Sequence, residues 1–246
     1  MHHPTFSQIV QEKLGYYIYL YINPIDNTIF YVGKGQGNRA FDHFSDIEES
    51  EKVNTIAEIR SQGLEPTVEI LVHGLRDEET ALRIEAAIID LIGVAHLTNQ
   101  VRGYESSILG RMGIKQLAAY YDKTPVSIKH KAILIRINRL YRYEMTGESL
   151  YEATRGIWKI GLRRNQAEYA FAVFRGIVRE VYKIQKWCPA GTTAYKTRPK
   201  NHLTATNRWE FEGEVAEQAI REQYIDKSVE QYLALNSRNP IKYVNC

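Results

Sequence analysis

Residues 16–22 read Tyr-Tyr-Ile-Tyr-Leu-Tyr-Ile, seven β-favouring side chains without a break, and such a run folds most readily as a strand. The segment that follows, Asn23-Pro-Ile-Asp-Asn27, reads as a turn, and Ile29 to Gly33 as a second strand, so the two form an antiparallel hairpin. Side chains alternate along a strand. Tyr17, Tyr19 and Tyr21 therefore share one face, and Tyr16, Ile18, Leu20 and Ile22 the other. The second face is the obvious core face. The first presents three phenols in a row, with Tyr31 of the neighbouring strand beside them. Such a row arises where tyrosines serve as good β-formers on a half-exposed strand, or where phenols gather around chemistry.

The remaining elements follow from periodicity and punctuation. A helix over about Phe6 to Leu14 precedes the hairpin. Gly35 and Gly37 make a loop that opens a helix carrying Arg39 and His43. A helix from about Ile47 to Gln62 stops at Gly63, and Pro66 leads into a strand from Thr67 to Val72. Asp77, Glu78 and Glu79 suit the start of a helix running to Ile92. After the first helix the order is ββααβα, an α+β sandwich. Further on, Ile114 to Tyr121 is helical, Asp122 to Pro125 a turn, and Val126 to Ile137 contains a strand. Ser149 with Glu152 is a capping-box pattern for a helix to Arg155. Short β-like runs follow at Ile157–Ile160, Tyr169–Phe174, Ile177–Trp187 and Arg208–Phe211, with a last strand within 239–245, which together suggest a mixed, mostly β barrel. The expected division is a first domain at 1–105, a connecting segment at 106–130 and a second domain at 131–246.

Charge divides the chain as well. Residues 1–104 hold 8 Lys and Arg against 15 Asp and Glu, a net of −7, and residues 105–246 hold 24 against 14, a net of +10. A basic half beside an acidic one suits contact with a polyanion such as nucleic acid, or two solvated surfaces of opposite sign that help the halves dock. With 44% hydrophobic and 25% charged residues, the composition is that of a globular protein. No run reaches the roughly 18 apolar residues of a membrane-spanning helix. The start lacks the pattern of a secretory signal, and Cys188 and Cys246 make neither a disulfide framework nor a CxxC site. A cytoplasmic protein without a membrane partner is the expectation.

Among candidate chemical groups, Glu85 stands out. At about 100° per residue, Ala81, Leu82, Ile84, Ile88, Ile89, Leu91 and Ile92 form one apolar arc, and Glu85 falls inside it. A carboxylate buried there must be protonated, ion-paired or metal-bound. Arg39 and His43, four residues apart, share a helix face, an arrangement common on solvated helices too. Gly33-Lys-Gly-Gln-Gly37 does not have the spacing of a phosphate-binding P-loop.

Together these residues resemble the GIY-YIG nucleases. Tyr17-Ile18-Tyr19 and Tyr31-Val32-Gly33 stand as the paired signature, followed in the family's order by Lys34, Arg39, His43, Glu85 and Asn99. The form Tyr-Val-Gly-Lys-Gly-x-Gly-Asn-Arg is similar to the branch that includes the ankyrin- and LEM-domain nucleases. The resemblance covers about residues 15–104 and departs from the family at Tyr17, which replaces a glycine and leaves Tyr17 and Tyr19 as alternatives for the catalytic phenol; alignment through the Asn23 turn favours Tyr19. The resemblance implies a small antiparallel sheet flanked by helices and a phosphodiester-hydrolysing endonuclease. Tyr19 would take a proton from water that Tyr31 positions, Arg39 would hold the phosphate, and His43 would bind an adjacent phosphate or assist proton transfer. Glu85 would be the protein ligand of one Mg²⁺ (or Mn²⁺). Lys34 and Tyr17 would support the site, and Asn99 the metal-bearing helix or a water. For a phenolate, the site must lower the tyrosine pKa from about 10, a task for Lys34, Arg39 and the metal.

The second half vaguely resembles PUA-like barrels, including the EVE group, which bind bases in an aromatic pocket. Trp158, Trp187 and Trp209 interleave with Arg163, Arg164, Arg175 and Arg179, a mix suited to stacking a base and gripping phosphates, or to filling a small core. The resulting reading is a divalent-metal-dependent endonuclease acting on nucleic acid, DNA ahead of RNA. The second domain would position or select the nucleic acid, with modified bases and host defence as a guess from architecture. The alternative is a non-catalytic nucleic-acid-binding protein with a degenerate nuclease fold.

Overall fold

Strands β1 (Tyr16–Ile22) and β2 (Ile29–Gln36) form the expected hairpin, with Tyr19 opposite Gly33 and Tyr17 opposite Gly35. The structure, a computed structural model, describes residues 5–42, 44, 49–99, 103–199, 203, 206–234 and 239–246. It divides into two units, residues 1–111 and 112–246.

In the first unit, β3 (Thr67–Leu75) pairs antiparallel with β1, giving a three-stranded sheet in the order β2-β1-β3. Helix α1 (Gln8–Leu14) precedes the sheet and is capped by Ser7. Strand β2 extends through Gly35, where a loop was expected. A Cβ on Gly35 would lie 2.5 Å from Cε2 of Tyr17, so this glycine makes room for a ring lying across the strand. Gly37, at φ +58°, makes the actual turn. Beyond it come α2 (Arg39–Asp42) and α3 (Glu51–Ser61), capped by Ser50; the expected start of α3 at Ile47 lies outside the described residues.

Helix α4 (Glu78–Ile92), capped by Asp77, packs on the opposite face of the sheet with Ile18, Leu20 and Val32. The tyrosine face is covered as well. Tyr17, Tyr19 and Tyr21 are at most 1% exposed, packed with Phe30, Ile56 and Ile59, so the half-exposed face expected for them is corrected: α3 and Phe44 roof it. One position on α4 also departs from the arc: Leu91 is exposed, while Asp90 is buried and accepts hydrogen bonds from Ser106 Oγ, at the start of α5 (Ser106–Leu109), and from the Arg111 N–H. A partnered carboxylate is tolerated inside where an unpartnered one is not.

The second unit contains α6 (Ile114–Asp122), β4 (Ala132–Arg136), α7 (Gly147–Arg155), β5 (Tyr169–Phe174), β6 (Ile177–Pro189), β7 (Trp209–Val215), α8 (Gln218–Tyr224) and β8 (Ile241–Val244). Its sheet runs β7-β6-β5-β4-β8, with β4 and β5 parallel and the other pairs antiparallel. The unit is mixed and mostly β, and among the described residues its pairing runs in a line between two edges, β7 and β8. Apolar clusters cover both faces, which explains why β4 and β5 read as continuous hydrophobic runs. Three expectations are corrected. The strand at Ile157–Ile160 is a single bridge between Trp158 and Trp209. The cap of α7 is Thr146, whose hydroxyl accepts from the Ser149 N–H, because the turn places Thr146 where the orphan N–H groups point. Helix α8 was not anticipated. Among the described residues no helix is long and apolar enough to cross a membrane.

Candidate active site

The tyrosine row on β1 does two different jobs. The Tyr17 hydroxyl donates to the Gly37 C=O (2.9 Å) and accepts from the Ala40 N–H (3.1 Å), while the Tyr21 hydroxyl donates to the Ala40 C=O (2.8 Å). The two outer phenols thus bind both backbone groups of Ala40 and fix α2, which carries Arg39. Tyr19, between them, lies over Gly33: a Cβ there would be 2.7 Å from its Cζ and hydroxyl and 2.8 Å from Cε1 of Tyr31. The Tyr19 and Tyr31 rings are 6.0 Å apart, and their hydroxyls interact.

Electrostatics at Tyr19 run against one expectation. Burial pushes its pKa far above the usual phenol value, Tyr31 and Tyr21 add to that, and Arg39 opposes it. Desolvation outweighs the nearby cation. Lys34, expected to help, instead directs its ammonium to Glu78 at the start of α4. Arg39 is half-exposed, 3.4 Å from Asp42. Burial works against its charge, but Tyr19, Asp42 and Tyr31 more than offset this and its pKa is raised. His43 lies outside the described residues.

Glu85 and Asn99 occupy the free edge of β2. Asn99 accepts from the Val32 N–H (3.1 Å) and donates to the Val32 C=O (2.8 Å). Glu85 Oε1 accepts from the Lys34 N–H (2.9 Å). Side chains thereby satisfy the backbone groups that a further strand would have paired. Asn99 is an edge clamp, and Glu85 is attached one residue from the glycine on which Tyr19 rests. Glu85 is partly buried, and burial raises its pKa above the usual value, opposed by the Lys34 N–H and ammonium. Among the described residues its second oxygen has no hydrogen-bond donor, and no group of three His, Cys, Asp or Glu side chains is placed to hold a metal. A single carboxylate with one free oxygen fits a divalent cation that keeps most of its waters.

The seven nucleic-acid candidates of the second unit separate into two groups. Trp158 and Trp209 exchange two backbone hydrogen bonds of 2.8 Å. Trp187 Nε1 donates to the Arg164 C=O (3.0 Å), and the Arg164 guanidinium carbon lies 3.5 Å from the Trp209 ring centroid. Arg163 donates to the Cys246 C=O. Arg175 and Arg179 lie at the other end of β6, beside Phe174, roughly 25 Å along the strand from Trp187, and Arg179 pairs with Asp226 (3.2 Å). Reasoning from sequence gave no role to Tyr21 or Tyr243; the signal for Tyr21 was its place on the same strand face as Tyr17.

Residues 21–119 match the family model described as the LEM-3-like GIY-YIG domain. That stretch is similar to the GIY-YIG domains of the LEM-3-like kind. The particular relative found is the ankyrin repeat and LEM domain-containing protein 1 homolog of Caenorhabditis elegans, 36% identical over 87 residues, which are 31% of this chain and 12% of that protein. The chain thus aligns with a small part of that relative's length. No solved structure gives a significant match. The family match starts at Tyr21, just past Tyr19, and so takes in the second motif, Arg39, Glu85 and Asn99 but not the first motif.

Proposed function

We propose that the chain is a divalent-metal-dependent endonuclease that hydrolyses DNA phosphodiester bonds, and that its second unit holds or selects the nucleic acid. The observation that carries this reading is the β1–β2 hairpin itself: Tyr19 and Tyr31 rest together on Gly33, Arg39 lies within electrostatic reach of both, and Glu85 binds the next residue's backbone. Arg39, held cationic, would grip two nonbridging oxygens and stabilise charge as the phosphorus becomes five-coordinate. Water oriented by Tyr31 attacks phosphorus, its proton passes to the Tyr19 phenolate, and the bond to the 3′ oxygen breaks. Arg39 favours that phenolate but is outweighed by burial in the free protein, so the charge of a bound cation would have to supply the remainder. A Mg²⁺ or Mn²⁺ held by Glu85 would supply charge stabilisation at the departing oxygen.

A second reading has its own support. The upward shift at Tyr19 and the engagement of Lys34 by Glu78 favour a nucleic-acid-binding protein with a degenerate nuclease fold. Incubating the chain with supercoiled plasmid, with and without Mg²⁺ or Mn²⁺, separates the two. Nicking that depends on the cation and falls about a hundredfold or more in Glu85→Ala and Tyr19→Phe, with DNA binding retained, is the expected result. Binding with no cation-stimulated nicking would leave the second reading standing.

A further inference from the structure

Among the described residues three arginines of the second unit are buried, and they are not in the same state. Arg155 donates to the Ala194 C=O and lies near Glu152, and Arg179 pairs with Asp226. Arg164, in the turn Leu162–Gln166, is 5% exposed, yet among the described residues its guanidinium has no hydrogen bond and no carboxylate partner. Its Nε is sealed from solvent without an acceptor. One face of the guanidinium is closed by the Trp209 ring at 3.5 Å. The Tyr243 hydroxyl on β8 is also sealed and unpaired, and both Arg163 and Arg164 act on it electrostatically. A neighbouring cavity of 570 Å³ is lined by Asn165 and Trp187, whose indole binds the Arg164 backbone, but not by Arg164, Trp209 or Tyr243.

A buried cation without a counter-charge is strongly unfavourable, and stacking on an indole offsets only part of the cost. The orphaned cation calls for a missing partner: an anion with oxygen acceptors. The terminal nitrogens of Arg164 are not sealed as Nε is, so the guanidinium retains a route to an incoming group. A planar fork braced against an aromatic ring suits a tetrahedral oxyanion. We propose that Arg164, braced on Trp209 and reached through its terminal nitrogens, is a phosphate-binding site, occupied in the working protein by a backbone phosphodiester of the nucleic acid. The assignment of that phosphate to nucleic acid rests on the proposed function; the presence of a phosphate site does not.

The test uses the full chain and its Arg164→Met variant, without divalent cations. Thermal unfolding is followed in chloride and in inorganic phosphate at matched ionic strength, and binding of a labelled DNA duplex is measured by anisotropy. The expected result is that Arg164→Met melts higher than wild type in chloride, because the unpaired cation is gone, loses the stabilisation by phosphate, and binds the duplex about tenfold more weakly. A variant that melts lower, with phosphate response and duplex affinity unchanged, would mean the stack is structural and would overturn the site. Loss of the phosphate response alone, with duplex affinity intact, would support a site for free phosphate and overturn its assignment to nucleic acid. If wild type binds no duplex, the nucleic-acid reading of the second unit fails, and the phosphate arm still decides the site.

Discussion

Glycine appears at 33 and 35 because of the rings lying on those positions. At Gly35 the added Cβ would fall 2.5 Å from the Tyr17 ring, which is locked through its hydroxyl to Gly37 and Ala40. Gly35→Ala should therefore destabilise by about 1–3 kcal/mol, the usual cost of overpacking, read from urea unfolding; a neutral result would mean the ring moves freely. Gly33→Ala displaces the Tyr19 hydroxyl instead and is expected to reduce cleavage beyond any loss of folded protein. Both glycines were legible as a motif, but the reason for them was not, since a ring lying flat across the neighbouring strand leaves no trace in residue spacing. The burial of the tyrosine row was equally hidden. Alternation assigns side chains to two faces, but whether a face is roofed depends on Ile56, Ile59 and Phe44 arriving from later in the chain.

At the scale of elements, short helix α2 is held from outside itself. Four residues make too little helix to be stable alone, and Tyr17 and Tyr21 supply the missing bonds at Ala40. Each Tyr→Phe change should cost about 1–3 kcal/mol by leaving a buried backbone group unpaired, and the double variant should be non-additive because both act on one residue. Equilibrium unfolding of the set checks this, and strict additivity would show the two bonds to be independent. In the second unit, Glu152 of α7 plays a comparable part. It accepts from the N–H groups of Lys196 and Thr197 and from the Thr197 hydroxyl. Burial works against its charge, but these donors and Arg155 prevail and its pKa is lowered. A depressed carboxylate contributes stability present above its unfolded value of about 4.3 and lost as pH falls through the folded value. Glu152→Gln should remove that acid limb and cost about 1–3 kcal/mol at neutral pH; the same acid limb in both proteins would refute the assignment. The sequence pattern located α7 but gave Glu152 a capping duty at the helix start, because its partners are more than forty residues away.

For the whole molecule, charge is the property that composition alone made visible. Residues 1–111 hold 9 Lys and Arg against 16 Asp and Glu, and residues 112–246 hold 23 against 13. The division at Arg111 found in the structure thus separates a unit of −7 from one of +10. A polyanion is repelled by the first and attracted by the second, so counterion release should come from the basic unit. Arg163 is exposed there, with its guanidinium on a backbone carbonyl; Lys34 in the acidic unit is already paired with Glu78. Duplex affinity of the full chain, measured against salt without divalent cations, should fall linearly on logarithmic axes. Arg163→Gln should reduce that slope by about one unit, the loss expected for a single phosphate contact, and Lys34→Gln should leave it unchanged. If Lys34→Gln flattens the slope and Arg163→Gln does not, the nucleic acid is held by the first unit despite its net charge, and the proposed division of labour between the two units is wrong.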